Sequence, residues 1–400
     1  MNSIAVIGAS LAGLRAAEAI RREGFDGTVH LVGDEPHAPY DRPPLSKQIL
    51  AGTWEIEKAW LAKPEKYEEL ALDTHYGVAA TGLDVAALAV SLDSGTTLDV
   101  DGVVIATGAR CRTIGEPLGG VFTLRTLDDA QGIRAAFDNG PDRVVVVGAG
   151  FIGAEVAATA RELGLDVTMV EMATAPFERS MGAEMGAVLA DIHRDQGVDL
   201  RLGVGVAGFT SDGAADAAVV TGVDLTDGTH IAADVVVVGV GVIPNTEWLA
   251  DSGLDVSNGV LCDETTLAAP GVVAAGDVAR WPNPHFGETM RVEHWDNAIT
   301  MGTHAAKRLL QGESAGAYAP TPWFWSDQYD RKIQLAGRTT DFDQFALVNG
   351  DTESRTFAGI YGRTGRIVAV LGFNRPRHVM RYRALIDDGA SFDDALAAEI

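Results

Sequence analysis

The chain has 400 residues, 46% of them hydrophobic and 22% charged, which is more than one hydrophobic core serves, so two or three domains are expected. A formal charge of -25 argues against nucleic acid or an anionic membrane surface as a partner for the molecule as a whole. No apolar run reaches the roughly eighteen residues of a membrane span, and a cytoplasmic protein is expected. Two cysteines, Cys111 and Cys262, stand far apart with no CxxC and no Cys/His cluster. That pattern offers no disulfide framework, zinc site or protein-bound iron-sulfur cluster, and no metal ligands are assigned.

In chain order, SIAVIGASLAGLRAAEAIRREG passes from an apolar run through small residues into apolar positions at helical spacing. It reads as strand, tight turn and helix. TVHLVGDE follows and ends in acids, completing a dinucleotide-binding fingerprint. Gly8 permits the sharp turn, Gly13 lets helix pack on strand, and the free amides of the helix N-terminus face a pyrophosphate. Asp34, or alternatively Glu35, takes the ribose hydroxyls. Ser10 replaces the usual middle glycine; it fits if its φ stays negative, and its hydroxyl can donate to a phosphate oxygen.

DGVVIATGARCR is an apolar strand closing on small residues, and it precedes a second fingerprint, RVVVVGAGFIGAEVAATARELGLDVTMVE. This copy is complete, with Gly148, Gly150, Gly153 and a terminal Glu171. A 2'-phosphate about 4 Å from the Glu171 carboxylate would be repelled by up to roughly 4 kcal/mol at an effective dielectric of about 20. No Lys or Arg follows within six residues to reverse that preference, so NADH is expected rather than NADPH. Two fingerprints imply two dinucleotides, or one site and a degenerate duplicate. GVGVIPN and GVVAAGDVAR then supply two further buried strands, the second ending at Asp277.

GASLAG, DRPPLSK (41 to 47), ATGA (106 to 109), LRTLDDA (124 to 130), GAGFIG, GVGVIPN, AAGD, RVEHWDNA (291 to 298) and PWFWSDQY (322 to 329) occur in that order. In this the chain resembles the FAD-containing, NADH-dependent ferredoxin reductases that serve bacterial oxygenases. The resemblance implies an α/β fold with two Rossmann-like dinucleotide-binding domains, as in glutathione reductase, and a C-terminal α+β domain covering the flavin. The implied boundaries are 1 to 110 and 236 to 318 for the FAD domain, 111 to 235 for the NAD domain and 319 to 400 for the last. Motif by motif, Gly8, Ser10, Gly13, Asp34, Arg42, Lys47, Ala106, Arg125, Asp277 and Trp295 fall on FAD. Gly148, Gly150, Ile152, Gly153, Glu155, Glu171 and Gly241 fall on NADH.

The implied reaction is hydride transfer from NADH to FAD and then single electrons to an iron-sulfur protein. Lys47 and Glu155 are the catalytic candidates: a cation near the flavin stabilises its reduced form, and Glu155 pairs with that lysine. A carboxylate in the first turn of a helix is also favoured by the dipole alone, which is the plain alternative for Glu155. Trp295 is expected near the flavin; Trp323 and Trp325 serve either as an apolar wall or as core aromatics, and His294 as a structural residue. No thiol stands where disulfide reductases and their single-cysteine cousins carry one. Residues 331 to 383 hold ten Lys or Arg against four acids, a face on which an acidic [2Fe-2S] ferredoxin could dock, extended by Lys307 and Arg308; the plain alternative is a solvated surface. A plant-type ferredoxin near roughly -400 mV would be uphill from NADH, which points to a higher-potential oxygenase-type cluster. Rubredoxin reduction and an NADH-responsive signalling flavoprotein are the alternative functions. A monomer or weak dimer is expected.

Overall fold

The computed structural model describes residues 1–214 and 217–398; the last two residues of the expected C-terminal domain, 399 and 400, lie outside the described residues. The chain forms two compact units. One comprises residues 1–41, 59–110 and 243–324; the other comprises 42–58, 111–242 and the C-terminal segment from 325.

The first unit is built on a six-stranded sheet. Ser3–Ile7 lies at its centre, flanked by Thr28–Gly33 and then Leu72–Tyr76 on one side, and by Gly102–Ile105, Val272–Ala274 and Leu267–Ala269 on the other. All neighbours are parallel except the last pair. Ile4, Ala5, Val6 and Ile7 are fully or almost fully buried, as expected of an apolar run covered on both faces. Helix Leu11–Arg22 packs against helix Trp295–Gln311, where Gly302 comes against the Ala12 carbonyl.

The second unit repeats the plan with a five-stranded parallel sheet in the order Asp199–Leu202, Val167–Glu171, Val144–Val147, Val235–Val238, Val121–Thr123. Its helices include Leu127–Asp138, Phe151–Glu162 and Glu178–Asp195. After it comes an antiparallel sheet ordered Trp323–Gln328, Arg331–Gly337, Arg366–Phe373, Thr356–Arg363, Gln344–Asp351, with helix Pro376–Asp387 following. This sheet packs on the Glu178–Asp195 helix: Tyr361 Oη donates to the Met181 carbonyl at 2.8 Å, and Arg355 pairs with Asp195 at 2.7 Å. The architecture is two Rossmann-like folds and a C-terminal α+β domain.

LRTLDDA has a local explanation. Thr126 accepts from the Asp129 amide at 3.1 Å, and the Asp129 carboxylate accepts from the Thr126 and Arg125 amides at 2.9 Å. This capping box starts the Leu127–Asp138 helix and satisfies donors that a helix end leaves open. Thr126→Ala should therefore cost about 0.5–2 kcal/mol, seen as a lower midpoint in urea unfolding; an unchanged midpoint would show that the cap contributes nothing.

Candidate functional site

The two fingerprints fold into the same cradle, once in each unit. Gly8 has φ 121, and a Cβ there would meet the Ala106 carbonyl oxygen at 2.1 Å; Gly148 has φ 98 and would meet the Gly239 oxygen at 2.4 Å. Each glycine thus sits at the carboxyl end of its strand against the end of the neighbouring strand, at the point where strand order reverses and dinucleotides bind. Gly13 and Gly153 are fixed by close approach, since a Cβ would lie 1.9 and 2.0 Å from the Gly8 and Gly148 oxygens.

The middle positions differ in kind. Ser10 has φ -126 and Gly150 φ -79, both ordinary for any residue, and a Cβ on Gly150 meets nothing within 4 Å. Neither side chain caps its helix, and neither helix has an acid in its first turn. The N-terminal amides of Leu11–Arg22 and Phe151–Glu162 are left without side-chain caps, which suits them to an anionic pyrophosphate. Serine is accepted at position 10 because the fold demands no glycine there.

Around the first cradle, Ala106 is held by its amide donating to the Ile7 carbonyl at 2.7 Å. Gly276, preceding Asp277, brings a Cβ position to 2.9 Å from Ala12 Cβ at the start of the helix. Trp295 Nε1 donates to Asp41 Oδ1 at 2.7 Å. The acids are arranged otherwise than in the second copy. Ile7 is in register with Val32 and Val147 with Val170, so Gly33 is the counterpart of Glu171. Asp34 is exposed one residue further on, and Glu35 accepts a hydrogen bond from Tyr40 Oη.

In the second cradle Glu171 accepts from the Ala149 amide with Oε2 and from the Ala173 amide with Oε1, both at 2.8 Å. The carboxylate is thereby fixed to the glycine-rich turn. Ile152, Met172 and Val240, which follow the turn or the strand ends, are 42%, 72% and 38% exposed, an apolar rim open to a ligand. Gly241 has φ 98 and open space at its Cβ position.

Glu155 and Lys47, 108 positions apart, meet in the second unit. Lys47 Nζ lies 2.7 Å from Glu155 Oε2, with the side chains 13% and 5% exposed. Ser46 Oγ donates to the same oxygen at 2.5 Å, and Ser326 Oγ donates to Oε1 at 2.8 Å. Thr159 Oγ1 fixes the Ser46 carbonyl at 2.7 Å. The helix begins at Phe151, which places Glu155 beyond the first turn. The helix dipole is therefore not what holds it there; three charge-assisted or hydroxyl donors are. Arg42 and Arg125 also come together, Arg42 Nη1 donating to the Arg125 carbonyl at 2.5 Å.

Sequence reasoning missed Ser326. Its signal is the alternation along Trp323–Gln328, in which Phe324, Ser326 and Gln328 are buried and the two tryptophans half-buried: two polar residues occupy the inward positions. Gln328 Nε2 donates to Ser326 Oγ at 3.1 Å. Nearby, fully buried His193 shares a 3.0 Å hydrogen bond with Tyr329 Oη, and desolvation depresses its pKa to about 4. His294 stacks edge-on against Phe324 at 5.0 Å. Both thiols are free; burial raises Cys111 and pushes Cys262 up to about 12.

The pyridine nucleotide-disulphide oxidoreductase model matches residues 2–302 and the reductase C-terminal model residues 323–400. The chain belongs to this oxidoreductase family. It is 38% identical to rhodocoxin reductase of Rhodococcus erythropolis, over 96% of this chain and 89% of that one. It is 37% identical to the ferredoxin–NAD(+) reductase component of the anthranilate 1,2-dioxygenase system of Burkholderia cepacia, over 98% and 96%. Putidaredoxin reductase in its covalent complex with putidaredoxin superposes with a TM-score of 0.92 at 33% identity, covering 100% of this chain and 96% of that one.

Two outcomes are expected. Gly150→Ser should fold with a stability within about 0.5 kcal/mol of the parent, while Gly148→Ser should lose the NAD cradle; equal melting losses in both would refute the distinction. His193 is neutral in the native state above pH 4, whereas the unfolded chain takes up a proton below about pH 6.5. The contribution of His193 to native stability should hence be complete above pH 6.5, fall by up to about 3 kcal/mol toward pH 4, and level off below. Urea titrations of His193→Gln should show a shallower slope between pH 6.5 and 5, and an identical slope would assign the loss to other groups.

Proposed function

We propose that this chain is an FAD-dependent NADH:ferredoxin reductase, which passes single electrons to a [2Fe-2S] ferredoxin feeding a cytochrome P450 or a ring-hydroxylating oxygenase. The observation that carries this reading is the buried Lys47–Glu155 pair beside a complete dinucleotide cradle, in a chain whose two thiols are held protonated by burial. Without a reactive thiol, electrons have no acceptor in the polypeptide. The relatives' names support the same reading.

FAD, when bound, converts the hydride of NADH into single-electron steps. The chain's own residues bind and orient. Residues 1 to 110 and 236 to 318 are assigned to FAD binding, with Gly8, Ser10, Gly13, Asp34, Ala106, Asp277 and Trp295 as contacts, aided by Arg42 and Arg125. Residues 111 to 235 take NADH, with Gly150, Ile152, Glu171 and Gly241 as contacts. Glu171 would accept the adenosine ribose hydroxyls and repel a 2'-phosphate. Lys47 would supply the cation that stabilises the reduced ring, and Glu155 would hold that ammonium in place.

An acidic ferredoxin is assigned to the C-terminal domain. Arg331, Lys332 and Arg355 of its basic segment are paired with Asp330, Asp327 and Asp195, which leaves less positive charge than the count suggests. Arg377 and Arg381 are exposed on helix Pro376–Asp387 with Met380 beside them, a cationic face with an apolar centre. Arg308 is engaged with Thr265 at 2.6 Å. No helix among the described residues is long and apolar enough to cross a membrane, and we assign the protein to the cytoplasm as a monomer or weak dimer.

The test is stopped-flow mixing of the yellow protein with NADH or NADPH, followed by an oxygenase-type ferredoxin. NADH should bleach the flavin far faster than NADPH, ferredoxin should restore the colour, and that second rate should fall with salt. Glu155→Ala should slow flavin reduction on the order of 10²-fold. If bleached flavin persists whatever iron-sulfur acceptor is offered, the reductase reading fails in favour of an NADH-responsive signalling flavoprotein.

A further inference from the structure

Outside the residues assigned to either cradle, two neighbouring strands of the first sheet collect three metal-ligating side chains. His30 on Thr28–Gly33 is in parallel register with Asp73 on Leu72–Tyr76, and Val32 is in register with His75. Asp73 and His75 are two residues apart and share one face of the sheet. His30 Nδ1 lies 2.8 Å from Asp73 Oδ2, and His75 Nε2 lies 3.2 Å from the same oxygen. The three donor atoms all fall within 4.8 Å of one another.

One detail separates this cluster from an ordinary hydrogen-bonded surface. His75 Nε2 is buried, yet it makes no hydrogen bond, so its 3.2 Å approach to the carboxylate is off the hydrogen-bonding direction. A single carboxylate oxygen thus faces two imidazole nitrogens and satisfies one. A cation set between the three would satisfy all of them.

We propose that His30, Asp73 and His75 bind one divalent transition-metal ion of the Zn2+ class, with water completing its coordination. Two imidazoles and one carboxylate are the donor set such ions prefer, whereas Mg2+ and Ca2+ take oxygen ligands. Bonds of about 2.0–2.2 Å put the donors of a tetrahedral site about 3.3 Å apart, so small side-chain rotations suffice while the sheet ladder keeps the backbone fixed. The side chains are 16%, 52% and 26% exposed, leaving a path for the ion and a place for water. Bound there, the ion clips the edge strand Leu72–Tyr76 to Thr28–Gly33. The sequence hid this site because His30 and Asp73 are 43 positions apart and no short motif contains them.

Calorimetric titration of the flavin-loaded, chelator-stripped protein with Zn2+ in excess Mg2+ tests the proposal, together with melting curves. One equivalent should bind and the melting temperature should rise. Affinity should weaken roughly tenfold or more in His30→Gln. His30→Gln/His75→Gln should lose both the binding and the melting shift while keeping its flavin and its metal-free melting temperature. Zinc that is displaced by Mg2+, binding that survives in the double variant, or no binding at all would each overturn the site. None of these results depends on the proposed reductase activity.

Discussion

The Glu155 carboxylate is the constraint on which the second unit turns. Its two oxygens take hydrogen bonds from Lys47 and Ser46 on one segment and from Ser326 on another, while its own helix lines the dinucleotide cradle. Burying a carboxylate and an ammonium costs several kcal/mol per ion unless both are well supplied with partners. Here three donors converge on one side chain, and residues 42–58, 151–162 and 323–328 are pinned together by it. Any of the three that moved away would strand a buried charge. The residue proposed for chemistry is thus also a principal organiser of the fold.

The duplicated cradle shows which parts of a fingerprint belong to the chain and which to the ligand. Gly8 and Gly148 are fixed by their own backbone and by a neighbouring carbonyl, as are Gly13 and Gly153 by close packing. The middle residue is constrained by neither, so serine and glycine both occur. The acid at the strand end diverges further: Glu171 is tethered to its glycine-rich turn by two amides, whereas Gly33 occupies the matching position in the first unit and the acids are displaced along the chain. In the proposed NADH site such a tethered carboxylate would discriminate well, because its negative charge could not swing away from a 2'-phosphate.

Electrostatics follow the same rule that local counts do not survive folding unchanged. The basic C-terminal segment is partly neutralised by aspartates outside the counted run or on the Glu178–Asp195 helix. Arg377 and Arg381 keep an exposed cationic face on helix Pro376–Asp387. In the docking proposed above, such a face would orient an acidic partner, which favours specificity over raw affinity.

The sequence by itself determined the two Rossmann-like folds, their order and the turn glycines, because continuous apolar strands, tight turns and helical spacing are local properties of the chain. The pairing of Lys47 with Glu155 was expected only from the family resemblance that the motifs around them carry. Only the tertiary structure decided what holds Glu155: Ser326 lies 171 positions away, and its inward orientation follows from strand alternation within a sheet whose partners no local pattern specifies. The same holds for buried His193 against Tyr329, 136 positions apart, and for the match of Gly33 with Glu171, which rests on strand register. Side-chain neighbours across a sheet are set by pairing and burial, and those are settled when the chain closes on itself.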